Sequence, residues 1–173
     1  DLPLHCPMPQ HADWNAHPID AFVAAEHDAR GLTPRPEAPR EVLLRRVTLD
    51  LTGLPPTAEQ VQAFLAAPSE SRIDSVIDEL MKSPQFGERW GRHWLDPARY
   101  AESHGFEHDY FRANAFHYRD FVINALNADM PYDQFVKWQI AGDELAPDDL
   151  QALAATGFLG AGVFPTQITN REA

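Results

Sequence analysis

The sequence predicts an all-α fold, an irregular multi-helix bundle with long connecting loops, and three observations predict it. Apolar residues recur three and four positions apart in one segment after another. Helix-start signals stand directly before several of those segments: Thr57 three residues ahead of Gln60, Ser71 ahead of Asp74, and Ser83 followed by Pro84. No alternation of strand and helix recurs along the 173 residues, which speaks against a doubly wound or barrel architecture.

Taken in order, residues 1–16 read as a flexible leader with three prolines and no period. Ile19, Phe22 and Val23 mark a short amphipathic helix with Pro18 in its first turn, and Gly31 ends it. Prolines 34, 36 and 39 make an extended connector. A second helix starts near Glu41 and stops at Gly53, Pro55 and Pro56, although Val47 and Thr48 also suit a strand. The Thr57 capping box opens a helix with Val61, Phe64 and Leu65 on its apolar side, and Ser71 opens another with Ile73, Val76, Ile77 and Leu80. Ser83 and Pro84 begin a helix through Phe86, Trp90 and Trp94, which Pro97 should kink or interrupt.

Residues 103–113 read as irregular backbone. Three helices follow, over about 115–127, 132–140 and 148–158, with Gly142 beyond the second, and with Asp148 as cap and Gly157 as stop for the third. Phe116, Val122, Ile123 and Leu126 are the candidate buried set of the first. Residues 163–169 suit a strand. The helical domain is therefore expected over 17–160, and 161–173 as a truncated C-terminal segment leading to a missing region.

Composition narrows the function. Twenty-six acids against fourteen Lys and Arg give a net charge of −12, which repels a phosphate backbone and argues against nucleic-acid binding. No window approaches eighteen consecutive apolar residues, so no membrane-spanning helix is expected. One cysteine, Cys6, makes neither an internal disulfide nor a covalent c-type haem attachment, so no cofactor is expected within this chain.

Between Trp90 and Glu144 aromatic and ionisable residues alternate instead of separating, and any site is expected there. Asp96, Glu102, Glu107 and Asp109 are the candidate catalytic carboxylates, because paired acids with separated pKa values do general acid and base work. His93, Arg99, Tyr100, His104, Arg119 and Asp120 are the candidate binding residues. Asp96 and Tyr100 share a helical face with His93 only if the helix continues past Pro97. The bland alternative is that Arg89, Arg92, Arg99, Arg112 and Arg119 staple helix ends to interleaved acids, with Trp90, Trp94, Tyr118 and Trp138 as core residues whose polar tips those charges satisfy. His104 and His108 stand four apart but lack the acid of a zincin motif, and Glu102, Glu107 and Asp109 lack the spacing of a calcium loop. The metal content stays open. No phosphate loop or nucleophile elbow is present.

Several strings carry a family likeness: HPIDAFV at 17–23, LLRRVTLDLTGLPPT at 43–57, SPQFGERW at 83–90, HWLDPARYAES at 93–103, YRDFVIN at 118–124, NADMPYDQF at 127–135, QIAGDEL at 139–145 and ATGFL at 155–159. Together they resemble the domain of unknown function of large planctomycete cytochrome-associated proteins, the PSCyt type. Pro97, Ala113 and Phe116 depart from its usual residues. The resemblance implies a periplasmic or otherwise extracytoplasmic protein, with other domains of the same polypeptide as partners and any c-type haem in parts of the parent outside this chain. The expected role is a scaffold or binding module for redox partner domains or for a carbohydrate. The competing expectation is a carbohydrate-active enzyme using paired carboxylates.

Overall fold

A computed structural model describes residues 17–67, 72–105 and 109–163. The expected leader, the cap at Ser71, and the strand beyond Val163 lie outside the described residues. Among the described residues there are eight α-helices, one 3-10 turn and no strand, only an isolated antiparallel bridge between Ser103 and Phe111. The fold is all-α.

The described chain falls into two compact units, one ending at Pro39 and the other beginning at Arg40. The first holds α1 (Pro18–Ala29). His17 caps it, its Nδ1 accepting from the Ile19 amide at 3.2 Å, and Pro18 occupies a first-turn position where its missing N–H costs nothing. Gly31, at φ +64°, supplies the left-handed turn that ends it.

The second unit is built on α2 (Arg40–Thr52), α3 (Ala58–Ala66), α4 (Arg72–Met81), α5 (Pro84–Leu95), α6 (Phe116–Asn127), α7 (Tyr132–Leu145) and α8 (Leu150–Ala155). Helix α2 packs against α3, α4 and α5, while α5 packs along α6 and α7 against α8. Leu44 and Thr48 are buried on α2, and the Thr48 and Thr52 hydroxyls donate back to the carbonyls of Leu44 and Thr48 at 2.8 and 2.7 Å. That bond satisfies a buried hydroxyl without a partner on another helix. Arg40 reaches across to close α3, donating to the Phe64 carbonyl at 2.9 Å and the Ala67 carbonyl at 3.1 Å, with its guanidinium 4.8 Å from the Phe64 ring centre.

Thr57 and Gln60 form the complete capping box, with bonds of 2.8 and 3.2 Å. Ser83 caps α5 with Pro84 behind it. Close approach of α5 to α6 depends on Gly87, whose added Cβ would lie 2.5 Å from the Ile123 carbonyl oxygen. The Gly87 amide instead donates to Asn127 Oδ1 at 2.8 Å.

The core joins α5, α6, α7, α8 and the 3-10 turn Thr156–Gly160. Phe121 is fully buried and stacks on Phe135 with ring centres 5.5 Å apart, and Trp94 meets Phe135 edge-on at 4.9 Å. Val122, Ala125, Ala155 and Ala161 complete it. Phe116, one of the expected buried residues of α6, is 39% exposed, because its position points away from the face that Phe121, Val122 and Ala125 define.

Two helix ends differ from expectation. Helix α7 continues through Gly142 to Leu145 across a kink at Ala141, so Gly142 lies inside it. Gly142 is there for contact: a Cβ would stand 2.1 Å from the Ala152 carbonyl oxygen. Asp149, not Asp148, caps α8, its Oδ1 accepting from Gln151 at 2.8 Å and Ala152 at 3.3 Å.

Candidate functional site

Helix α5 ends at Leu95, and Asp96 through Arg99 turn the chain away, with Arg99 at φ +57° and the Tyr100 amide returning to the Leu95 carbonyl at 3.0 Å. Because the helix does not pass Pro97, His93, Asp96 and Tyr100 share no helical face. His93 is exposed and touches the Trp90 ring edge-on, and Asp96 and Arg99 are exposed at the turn.

From Glu102 the chain runs out and back as a narrow loop. The Arg112 amide donates to the Glu102 carbonyl at 2.7 Å and the His104 amide to the Tyr110 carbonyl at 3.0 Å. At its far end Asp109 Oδ1 accepts from the Gly105 amide at 3.0 Å. The Ser103 hydroxyl, then the Gly105 N–H, hold the Asp109 carboxyl below its ordinary value, with His104 adding to the effect. Glu107 and His108 lie outside the described residues.

At the base of the loop Tyr100, Glu102, Arg119 and Asp120 form one network. The Tyr100 hydroxyl donates to Glu102 Oε1 at 3.2 Å, Arg119 Nη1 to the same oxygen at 2.7 Å, and Arg119 Nε and Nη2 to Asp120 Oδ1, each at 3.1 Å. Burial, then the Glu102 carboxylate, push the Tyr100 phenol up to about 12. The Arg112 guanidinium donates to the carbonyls of Ala101, Gly160, Ala161 and Gly162. It ties the loop to the end of the 3-10 turn.

Beneath this network the polar tips of the core aromatics meet an amide instead of the expected charges. Gln139, 2% exposed, accepts at Oε1 from Trp94 Nε1 at 2.9 Å and from the Tyr118 hydroxyl at 2.7 Å, and its Nε2 donates to the Phe135 carbonyl at 3.0 Å. Burial pushes the Tyr118 phenol up to about 12. Trp90 is 40% exposed and outside the core cluster.

A groove of about 1000 Å³ opens beside the network, between α6 and α8. Tyr100, His104 and Arg112 stand at one end, and Leu150 and Leu153 on the α8 side. His117, Asp120 and Asn124 line its α6 side, and Gln151 faces them, accepting from Asn124 Nδ2 at 3.4 Å. Of the expected site residues, Tyr100, His104 and Asp120 line this groove. Glu102 and Arg119 bond to the lining residues Tyr100 and Asp120, whereas His93, Asp96, Arg99 and Asp109 are not part of the lining. His117, Asn124 and Gln151 were not among the sequence candidates. A stripe at 117, 120 and 124, spaced three and four apart, is the signal that points to the first two. Among the described residues no group of three or more His, Cys, Asp or Glu is arranged to hold a metal ion.

The chain is thus all-helical, with an open groove of mixed polar and apolar lining, and no described helix is long and apolar enough to cross a membrane. It belongs to the PSCyt2 family, proteins of unknown function (DUF1549), whose family model matches residues 18–173. No curated protein and no solved structure matches it.

Proposed function

We propose that this domain is a binding module that holds a carbohydrate in the groove between α6 and α8, in an extracytoplasmic protein. The observation that carries this reading is the groove wall itself, where the amides of Asn114, Asn124 and Gln151, one carboxylate, two imidazoles and the half-buried Tyr100 ring line a single opening. Its volume falls in the range of small-molecule sites, and mixed amide, carboxylate and aromatic surface suits a ligand that is both hydroxylated and partly apolar.

Binding is favoured over catalysis by the state of the carboxylates. Glycoside hydrolysis needs two, about 5 to 9.5 Å apart across the bond. Asp120 is the one carboxylate among the described lining residues, and Glu102 is held by Tyr100 and Arg119. Asp109, held ionised by Ser103 and Gly105, is a poor proton donor near neutral pH.

The test is a glycan array followed by isothermal titration of the full chain with each retained oligosaccharide. Gln151→Trp, at an exposed position on the groove wall, should abolish binding while the helical circular dichroism and melting temperature stay those of the parent. Failure of every glycan to bind, or binding unaffected by Gln151→Trp, overturns the reading; the first outcome turns attention to docking of redox domains of the same polypeptide.

A further inference from the structure

The hydrogen-bonding inventory of the groove is uneven. His117, Asp120 and Asn124 follow one another along one face of α6, a span of about 10 Å at the helical rise per residue. Asp120 commits Oδ1 to Arg119, and among the described residues no bond engages Oδ2. Asn124 donates its Nδ2 to Gln151, which leaves the Asn124 Oδ1 acceptor and the Gln151 Nε2 donor free. Beside the side chains of His104, Arg112, Asn114 and His117, the groove thus offers two side-chain acceptors, four residues apart on α6, and one donor opposite them. Adjacent hydroxyls of a sugar ring, each both donor and acceptor, match that pattern. A ligand carboxylate, which only accepts, finds no donor at Asp120 or at the Asn124 Oδ1.

Resting on the proposed carbohydrate reading, we infer that the groove selects a neutral disaccharide laid along α6, with Asp120 as the specificity-determining residue. Two rings match the span of the polar stripe, with one ring over Asp120 and the other over Asn124. The carboxylate of Asp120 accepts from a pair of vicinal hydroxyls and repels a uronic acid at the same place. The charge of the whole chain, −12, acts in the same direction on any polyanionic glycan.

Titration of the full chain with cellobiose, xylobiose, mannobiose, lactose, glucose and digalacturonate tests this. At least one neutral disaccharide should bind more tightly than glucose and than digalacturonate. Asp120→Ala should weaken that disaccharide about tenfold, the loss expected for a hydrogen bond to a charged acceptor. Asp120→Asn, which preserves shape, should close the gap between the neutral sugar and digalacturonate, and its melting temperature controls for folding. Tighter binding of digalacturonate by the parent, or neutral-sugar affinity unchanged in Asp120→Ala, overturns the inference while leaving a glycan-binding groove in place. Binding of no sugar at all overturns both.

Discussion

Replacing Gln139 by leucine removes the one acceptor shared by the two polar tips of the core. Trp94 Nε1 retains a partner, because it also lies 3.0 Å from the Tyr118 hydroxyl oxygen. The Tyr118 hydroxyl does not: its acceptor was Gln139 Oε1, at 2.7 Å, and the residue is 3% exposed. A buried donor stripped of its partner costs about 1–3 kcal/mol, and the leucine regains part of this as buried apolar surface. The net loss is expected near 2 kcal/mol, which for a domain of this size lowers the melting temperature by roughly 4–8 °C. Tyr118→Phe in the parent should cost about 1 kcal/mol, since it deletes the bonds to Gln139 and from Trp94 but leaves those two side chains satisfied by each other. In the Gln139→Leu background the same change trades the orphaned Tyr118 hydroxyl for an orphaned Nε1 on the less buried Trp94, so it should be close to neutral and cost less than in the parent. Urea unfolding of the two single variants and the double variant measures the coupling directly. Simple addition of the two losses, within about 0.5 kcal/mol, would refute the claim that these side chains form one hydrogen-bonded unit.

Two further outcomes follow from the same interior. Gly142→Ala sets a Cβ 2.1 Å from the backbone oxygen of Ala152, which cannot swing aside as a side chain would, so a loss of at least about 3 kcal/mol is expected in urea unfolding. Gly91→Ala, whose nearest contact is the Ile123 side chain at 3.4 Å, should be far milder; equal costs at the two positions would contradict this account of helix approach. Stability should also fall at alkaline pH. Tyr100 and Tyr118 have folded-state pKa values near 12 against an ordinary value of 10, so their contribution is complete below about 10 and disappears as the pH rises to about 12. Urea midpoints measured across that window should decline, and Tyr118→Phe should flatten the decline; a midpoint constant up to pH 12 would count against buried, protonated phenols.

What was legible in the sequence was local. The Thr57–Gln60 capping box and the Ser83–Pro84 start involve side chains bonding to backbone within three residues, and they stand where the spacing puts them. Asp148 and Asp149 are equivalent as residue types, so only the register of α8 chooses between them. Gly142 looked like a terminator because glycine at a helix end and glycine at a crowded crossing read identically along one chain. The interior of α6 turns on Phe121, whose partner Phe135 lies on another helix, and no period inside α6 ranks it above Phe116. The groove was least legible. Asn124 and Gln151 stand 27 positions apart and carry no charge, whereas the charged residues that drew attention, Asp96 and Asp109, are placed by a helix end and a loop tip away from its lining. Ion pairing was visible as a tendency: Arg119 pairs with Glu102 and Asp120, and the Arg112 guanidinium also donates to backbone oxygens that no residue identity reveals.

That last arrangement has a consequence for which substitutions the fold tolerates. Every peptide unit carries a carbonyl, so positions 160–162 can change residue type and still offer Arg112 the same acceptors as long as the chain keeps its path. Even a methyl group added at Gly160 would come no closer than 3.7 Å to Arg112. The reverse does not hold. Only a planar group with five donors spans so many oxygens, and a lysine ammonium, with three donors on one atom, would release part of the set. Sequence drift should therefore be lopsided across this contact, loose along the turn and narrow at the arginine.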